Sequence, residues 1–138
     1  MRVVIDTNIL ISATLWSGES DRIIKKAENS EIELCLSEEI LEEYAEVLKY
    51  PEILEKIRDN ELEVKMTLAK IKSISIIFNP KLKINDCKDK KDNKILECAL
   101  ESNADFIITY DNHLLEINEF HGTKILNPSA FLSLFNKF

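Results

Sequence analysis

Four acidic side chains stand where oxygen ligands for a hard cation would be needed. Asp6 directly follows the apolar run Val3-Val4-Ile5, and Asp111 comes two residues after Phe106-Ile107-Ile108-Thr109. An acid at the exit of an apolar strand lies at the strand's carboxyl end, where open α/β sheets hold their ligand crevice. Two separate strands would thus deliver an acid to one edge of a sheet. Each aspartate alone could equally close a turn or cap a helix.

The other two acids are sorted by helical geometry, at about 100° per residue. In the segment opened by Asp92, the residues Ile95, Leu96, Ala99 and Leu100 share one face, and Asp92 lies above the middle of it. Its carboxylate either caps the helix from inside or faces an acidic crevice. The same wheel turns Lys94 and Glu97 outward. In SEEILEEYAEVL, the residues Ile40, Leu41, Tyr44, Val47 and Leu48 define the buried arc. Glu43 falls on its border and Glu42 on the opposite face, so Glu43 is the glutamate able to reach inward, or else it points its carboxylate into water. Asp86 and Asp89 precede the Asp92 helix and remain secondary candidates.

If Asp6, Glu43, Asp92 and Asp111 converge, four like charges meet, an arrangement that is costly without cations or protons. Mg²⁺ or Mn²⁺ suits such a set, and one or two ions would serve metal-assisted hydrolysis of a phosphodiester. A local basic run agrees with an anionic substrate: Lys81, Lys83, Lys88, Lys90, Lys91 and Lys94 place six lysines in 14 residues. Lys88, Lys90, Lys91 and Lys94 adjoin the proposed site and are candidates for tracking a nucleic-acid backbone, though a solvated loop is the ordinary meaning of such a run.

The elements that must position these groups alternate along the chain. Five strands are expected, at Arg2 to Ile5, Glu33 to Leu36, Ile74 to Phe78, Phe106 to Thr109 and Lys124 to Leu126. The first, third and fourth are unbroken apolar runs, as for strands covered on both faces, and the fifth is the candidate edge. Helices are expected at Asn8 to Leu15, Ser20 to Asn29, Glu38 to Lys49, Glu61 to Ser73, Asp92 to Ser102 and Pro128 to Phe135. Ser37 is a natural N-cap for the third helix and Pro51 marks its end; Pro128 suits a first helical turn. Asn79 to Lys91 is the one long polar connection. Together these predict an α/β fold with a mostly parallel central sheet of about five strands, as one domain over residues 1–138.

Composition narrows the function. A length of 138 residues supports one core without disulfides or a structural metal. Eighteen Lys and Arg against 25 Asp and Glu give a net charge of −7, which argues against wholesale coating of nucleic acid or anionic membrane. With two glycines in the chain, phosphate loops of the Walker or dinucleotide type are absent. Cys35, Cys87 and Cys98 form neither a disulfide framework nor a CxxC pair and read as reduced core residues. No run approaches the roughly 20 apolar residues of a membrane span, so a cytoplasmic protein is expected. His113 and His121 have no Cys or His at metal spacing nearby and are not assigned to a metal, and Trp16 is assigned to the core.

In order and spacing, VVIDTNILISA, SEEILEEYAEVL, DCKDKKDNKILECAL and ADFIITYDNHLL resemble the PIN domain family, and within it the VapC-like toxins of toxin–antitoxin systems. The resemblance runs over the whole chain, including the closing ILNPSAFL. It implies a three-layer α/β/α sandwich and a Mg²⁺- or Mn²⁺-dependent ribonuclease with its acids on Asp6, Glu43, Asp92 and Asp111, supported by Thr7, Asn8 and Asp89. It also implies an RNA substrate, a cognate antitoxin protein and a possible homodimer. The alternative is a catalytically silent PIN-like domain that binds RNA or protein. A phosphotransferase of the haloacid dehalogenase type would need an acid two residues after Asp6, and that position is Asn8. Two departures from relatives are the aspartate-poor KDKKDN before Asp92 and Tyr110, where a small residue is common.

Overall fold

In the computed structural model residues 1–85 and 89–135 are described. Asp86, Cys87 and Lys88 therefore lie outside the described residues. Strand β1 (Arg2–Ile5) is followed by helices α1 (Thr7–Leu15) and α2 (Glu19–Glu28), then β2 (Glu33–Ser37), α3 (Glu38–Leu48), α4 (Pro51–Asp59), α5 (Val64–Ser73) and β3 (Ser75–Phe78). A single 3-10 turn (Lys90–Asp92) leads into α6 (Asn93–Ser102) and β4 (Phe106–Ile108), and α7 (Asn112–Ile117), β5 (Glu119–Phe120), β6 (Thr123–Leu126) and α8 (Pro128–Ser133) complete the chain.

The strand order is β3-β2-β1-β4-β6-β5. All neighbours are parallel except the short β5–β6 pair. β1 is central, with Val4 level with Cys35 on one side and Ile107 on the other. From β1 the chain steps outward to β2 and β3, then returns over α6 to β4 on the far side of β1. Right-handed crossovers accordingly place α1 to α5 on one face and α6 on the other, and α6 packs across β1 and β2. The α/β sandwich expected from the sequence is the fold observed, and its topological switch point lies between β1 and β4.

Val3, Val4 and Ile5 are fully buried, each contributing about 1.5–3 kcal/mol of apolar burial. They are joined by Leu34, Leu36, Ile107 and Ile108 from the flanking strands, and by Ile9, Leu10, Tyr44, Leu96 and Phe131 from the helices. The Ser37 hydroxyl caps α3 by accepting from Ile40 N at 3.2 Å. Cys35 and Cys98 are buried free thiols, as expected. Among the described residues no helix is long and apolar enough to cross a membrane.

Several elements differ from expectation. The apolar run of β3 is an edge, not an interior strand: Ile76 and Ile77 are 37% and 38% exposed. The expected edge, β6, is interior because the two-residue β5 folds back on it. Pro51 does not simply end α3; it begins α4, where its fixed φ suits the first turn. The expected helix from Glu61 starts at Val64, since Glu61 has φ 58°, a left-handed conformation no α-helix contains. Trp16 is half exposed and carries the Lys56 ammonium over its ring. Glu97, expected to point outward, is buried; its carboxylate accepts from Ile84 N at 2.9 Å and pairs with Lys83 at 3.8 Å, tying down the long connection before α6.

Candidate metal centre

Asp6 is both the residue after β1 and the N-cap of α1. Its Oδ1 accepts from Ile9 N at 3.0 Å and its Oδ2 accepts from the Thr109 hydroxyl. Thr109, fully buried just past β4, also accepts from Asp111 N at 2.9 Å. One hydroxyl therefore couples the exits of two adjacent strands and fixes their aspartates relative to each other. Asp111 caps α7, accepting from His113 N at 2.8 Å. Capping and crevice duty thus coincide in both residues, because the helices that follow β1 and β4 start at the sheet edge.

Asp92 ends the 3-10 turn without its side chain capping α6. Of the two orientations open to it, the carboxyl takes the crevice, which it lines beside Asp111. Glu43 reaches inward from α3 and forms an ion pair with Lys94, while Glu42 is exposed. Asp6, Thr7, Asn8, Glu43, Asp92 and Asp111 line one crevice together with Lys91, Lys94 and Ile95. Its volume is about 40 Å³, room for a cation with a water. Tyr110 does not narrow it: its hydroxyl turns to Glu19 of α2, donating at 3.1 Å.

The supporting residues divide. Thr7 is buried and Asn8 exposed, both in the crevice wall. Asp89 stands at the rim, its Oδ1 accepting from Lys91 N at 3.0 Å. Lys91 is exposed at the mouth and Lys90 is exposed on the 3-10 turn. Lys94, expected to face outward, is turned into the crevice, with a side chain 19% exposed. Lys88 is outside the described residues. Two contributors escaped the sequence reading. Thr109 looked like a last strand residue, although a hydroxyl between two strand-end acids is the available signal. His113 was set aside for want of Cys or His neighbours, yet its Nδ1 lies 3.7 Å from Asp111 Oδ1.

Electrostatics reflect the crowding. Burial pushes Asp6 up to about 6, against the hydrogen bonds from Thr109 and Ile9, with the charges of Asp111 and Glu43 adding to the rise. Asp92 is pushed up to about 7, first by burial, then by its hydrogen bond to Asp111 and the charges of Asp111, Asp89 and Asp6. Crowding thus leaves both acids holding their protons to higher pH than free carboxyls do. The donor set also fits a hard divalent ion. Ligand atoms of Asp89, Asp92, Asp111 and His113 lie within 4.8 Å of one another, and carboxylates with at most one imidazole are the ligands Mg²⁺ and Mn²⁺ prefer. In the crevice wall, the buried Thr7 Oγ1 has no hydrogen-bond partner among the described residues.

Residues 2–113 match the sequence profile of the PIN domain. The uncharacterized protein MJ1680 of Methanocaldococcus jannaschii is 35% identical over 148 residues, an alignment covering 100% of this chain and 94% of that protein. Among solved structures, the chain is similar to one from the crystal structure of VapBC2 from Rickettsia felis bound to a DNA fragment from their promoter. That likeness has a TM-score of 0.58 at 17% identity, covers 92% of this chain and 98% of the other, and concerns the fold. With a profile match over most of its length, the chain belongs to the PIN domain family.

Proposed function

We propose that this protein is a Mg²⁺- or Mn²⁺-dependent endoribonuclease, the toxin of a toxin–antitoxin pair. The observation that carries the reading is the convergence of Asp6, Glu43, Asp92 and Asp111, from four separate elements, on one crevice at the switch point of the sheet. Capping accounts for one oxygen each of Asp6 and Asp111, but not for the meeting of four carboxylates in one crevice, a cost that a bound cation would offset. The use of that crevice is to hold a cation.

Asp92 and Asp111, with Asp89 at the rim, would hold the ion; Asp6 sets the position of Asp111 through Thr109 and adds its own negative charge. His113 beside Asp111 favours Mn²⁺ over Mg²⁺, because imidazole is a poor partner for the harder ion. When bound, the ion supplies positive charge that lowers the pKa of water and offsets charge building on phosphoryl oxygens. Glu43 orients the attacking water and accepts its proton. Water adds to phosphorus, one phosphorus–oxygen ester bond breaks, and the departing oxygen takes up a proton. Lys91 at the mouth and Lys90 on the adjoining 3-10 turn would contact flanking phosphates, which makes binding salt-sensitive; Lys88, the further candidate, lies outside the described residues.

The antitoxin partner is inferred from the VapBC2 complex to which the fold is similar. A homodimer and a cytoplasmic location belong to the same reading. The test is cleavage of end-labelled structured and single-stranded RNAs with Mg²⁺, Mn²⁺ or EDTA, with Asp6→Asn in parallel. Metal-dependent cutting lost in the variant supports the proposal. Metal binding by folded protein with no cutting of any RNA would replace it with the silent binding domain.

A further inference from the structure

We infer that Lys94 fills the second cation position of the acidic crevice with its own ammonium group, so that the chain takes one divalent ion and not two. The inference rests on the metal-centre reading above, and concerns how many ions that centre admits.

The acids of the crevice fall into two halves. In one, Asp89, Asp92, Asp111 and His113 bring ligand atoms within 4.8 Å of one another. In the other stand Asp6 and Glu43, and there the oxygens are already engaged. Asp6 Oδ1 accepts from Ile9 N and Oδ2 from the Thr109 hydroxyl. The Glu43 carboxylate is held by Lys94 Nζ. The pair is enclosed, with side chains 19% and 29% exposed, and so is screened less by solvent than a surface bridge. Lys94 rises from the first turn of α6, a helix held across β1 and β2, so its stem enters the crevice from a fixed base.

Two-metal sites place their ions about 3.5–4 Å apart on shared and flanking carboxylates. Here the second ion would need Asp6 and Glu43, and would sit against an ammonium already bound to Glu43. Like charges at that distance in a partly buried site repel strongly, so either the lysine leaves or the ion stays out. An ammonium has three donors and no acceptor. With Glu43 taking part of that capacity, Lys94 keeps an N–H for a phosphoryl oxygen opposite the ion, which would clamp the scissile phosphate between a divalent ion and a lysine.

The test counts Mn²⁺ bound to full-length protein, by calorimetric titration and by electron paramagnetic resonance of free and spin-coupled Mn²⁺. Lys94→Met keeps the length and removes the charge; Lys94→Gln gives the same reading should the first variant fold poorly. Lys65→Met makes the same change in net charge at an exposed position of α5, away from the crevice. The inference predicts one Mn²⁺ per chain in the wild type and in Lys65→Met, and two, spin-coupled, in the Lys94 variants. Two ions in the wild type, or one in folded Lys94 variants, would overturn it. A wild type that binds no Mn²⁺ would instead overturn the metal centre itself, an outcome distinct from either.

Discussion

Replacing Asp6 by asparagine should destroy cleavage and at the same time stabilise the metal-free protein. The size of the effect follows from the crevice. Burial raises Asp6 from 3.8 to about 6, so an ionised Asp6 costs the native state about 3 kcal/mol at neutral pH. The amide keeps the acceptor for Ile9 N, but its NH₂ now donates to Thr109 Oγ1, leaving that hydroxyl without its acceptor, a loss of about 1 kcal/mol. The net gain is about 1–2 kcal/mol, or a Tm rise of about 3–8 °C in EDTA. The sign with pH is fixed. Because its folded pKa is the higher one, native Asp6 holds more proton than the unfolded chain between about pH 4 and about pH 6, and wild-type stability falls as pH rises through that window. Urea unfolding followed by circular dichroism, in EDTA at about pH 4.5 and about pH 7.5, should show the variant's advantage growing by about 2 kcal/mol. A variant less stable than wild type at the higher pH, or an advantage independent of pH, would refute the reasoning.

Three further outcomes are expected. Thr109→Val removes both the donor to Asp6 and the acceptor for Asp111 N; it should lower stability by about 1–3 kcal/mol and cleavage at least tenfold, read by urea unfolding and initial rates. Glu43→Gln should cut kcat by about 10²-fold or more, whereas Glu42→Gln, on the exposed face of α3, should leave it unchanged. Mn²⁺ affinity, measured by titration calorimetry, should fall steadily as pH drops below about 7, because the ion must displace a proton from Asp92; pH-independent affinity between about 5 and about 8 would show that this carboxyl is not a ligand.

The acids were legible because two simple periodicities report on them. A strand exit places Asp6 and Asp111 at the sheet edge whatever follows, and the apolar stripe of α3 separates Glu43 from Glu42 without knowledge of its neighbours. What the helical wheel could not see is the far side of a helix covered by something else. Glu97 is buried because residues 83 and 84 fold back onto it, and Lys94 turns inward because α3 offers it a glutamate; both depend on tertiary contacts across 13 to 51 positions of sequence. Thr109 and His113 are similar cases, since their role is fixed by Asp6 and Asp111 across the strand pair. An apolar run such as Ser75-Ile76-Ile77-Phe78 does not distinguish an interior strand from an edge, because the pattern records hydrophobicity and not pairing. Pro51 shows the same ambiguity at a helix boundary, where one residue both stops α3 and starts α4.

The most direct test of the central claim is cleavage of end-labelled RNA by purified protein in Mn²⁺, with EDTA and Asp6→Asn as controls. The account predicts discrete cuts that require the divalent ion and vanish in the folded variant. Cutting that persists in EDTA, or in Asp6→Asn, would contradict it.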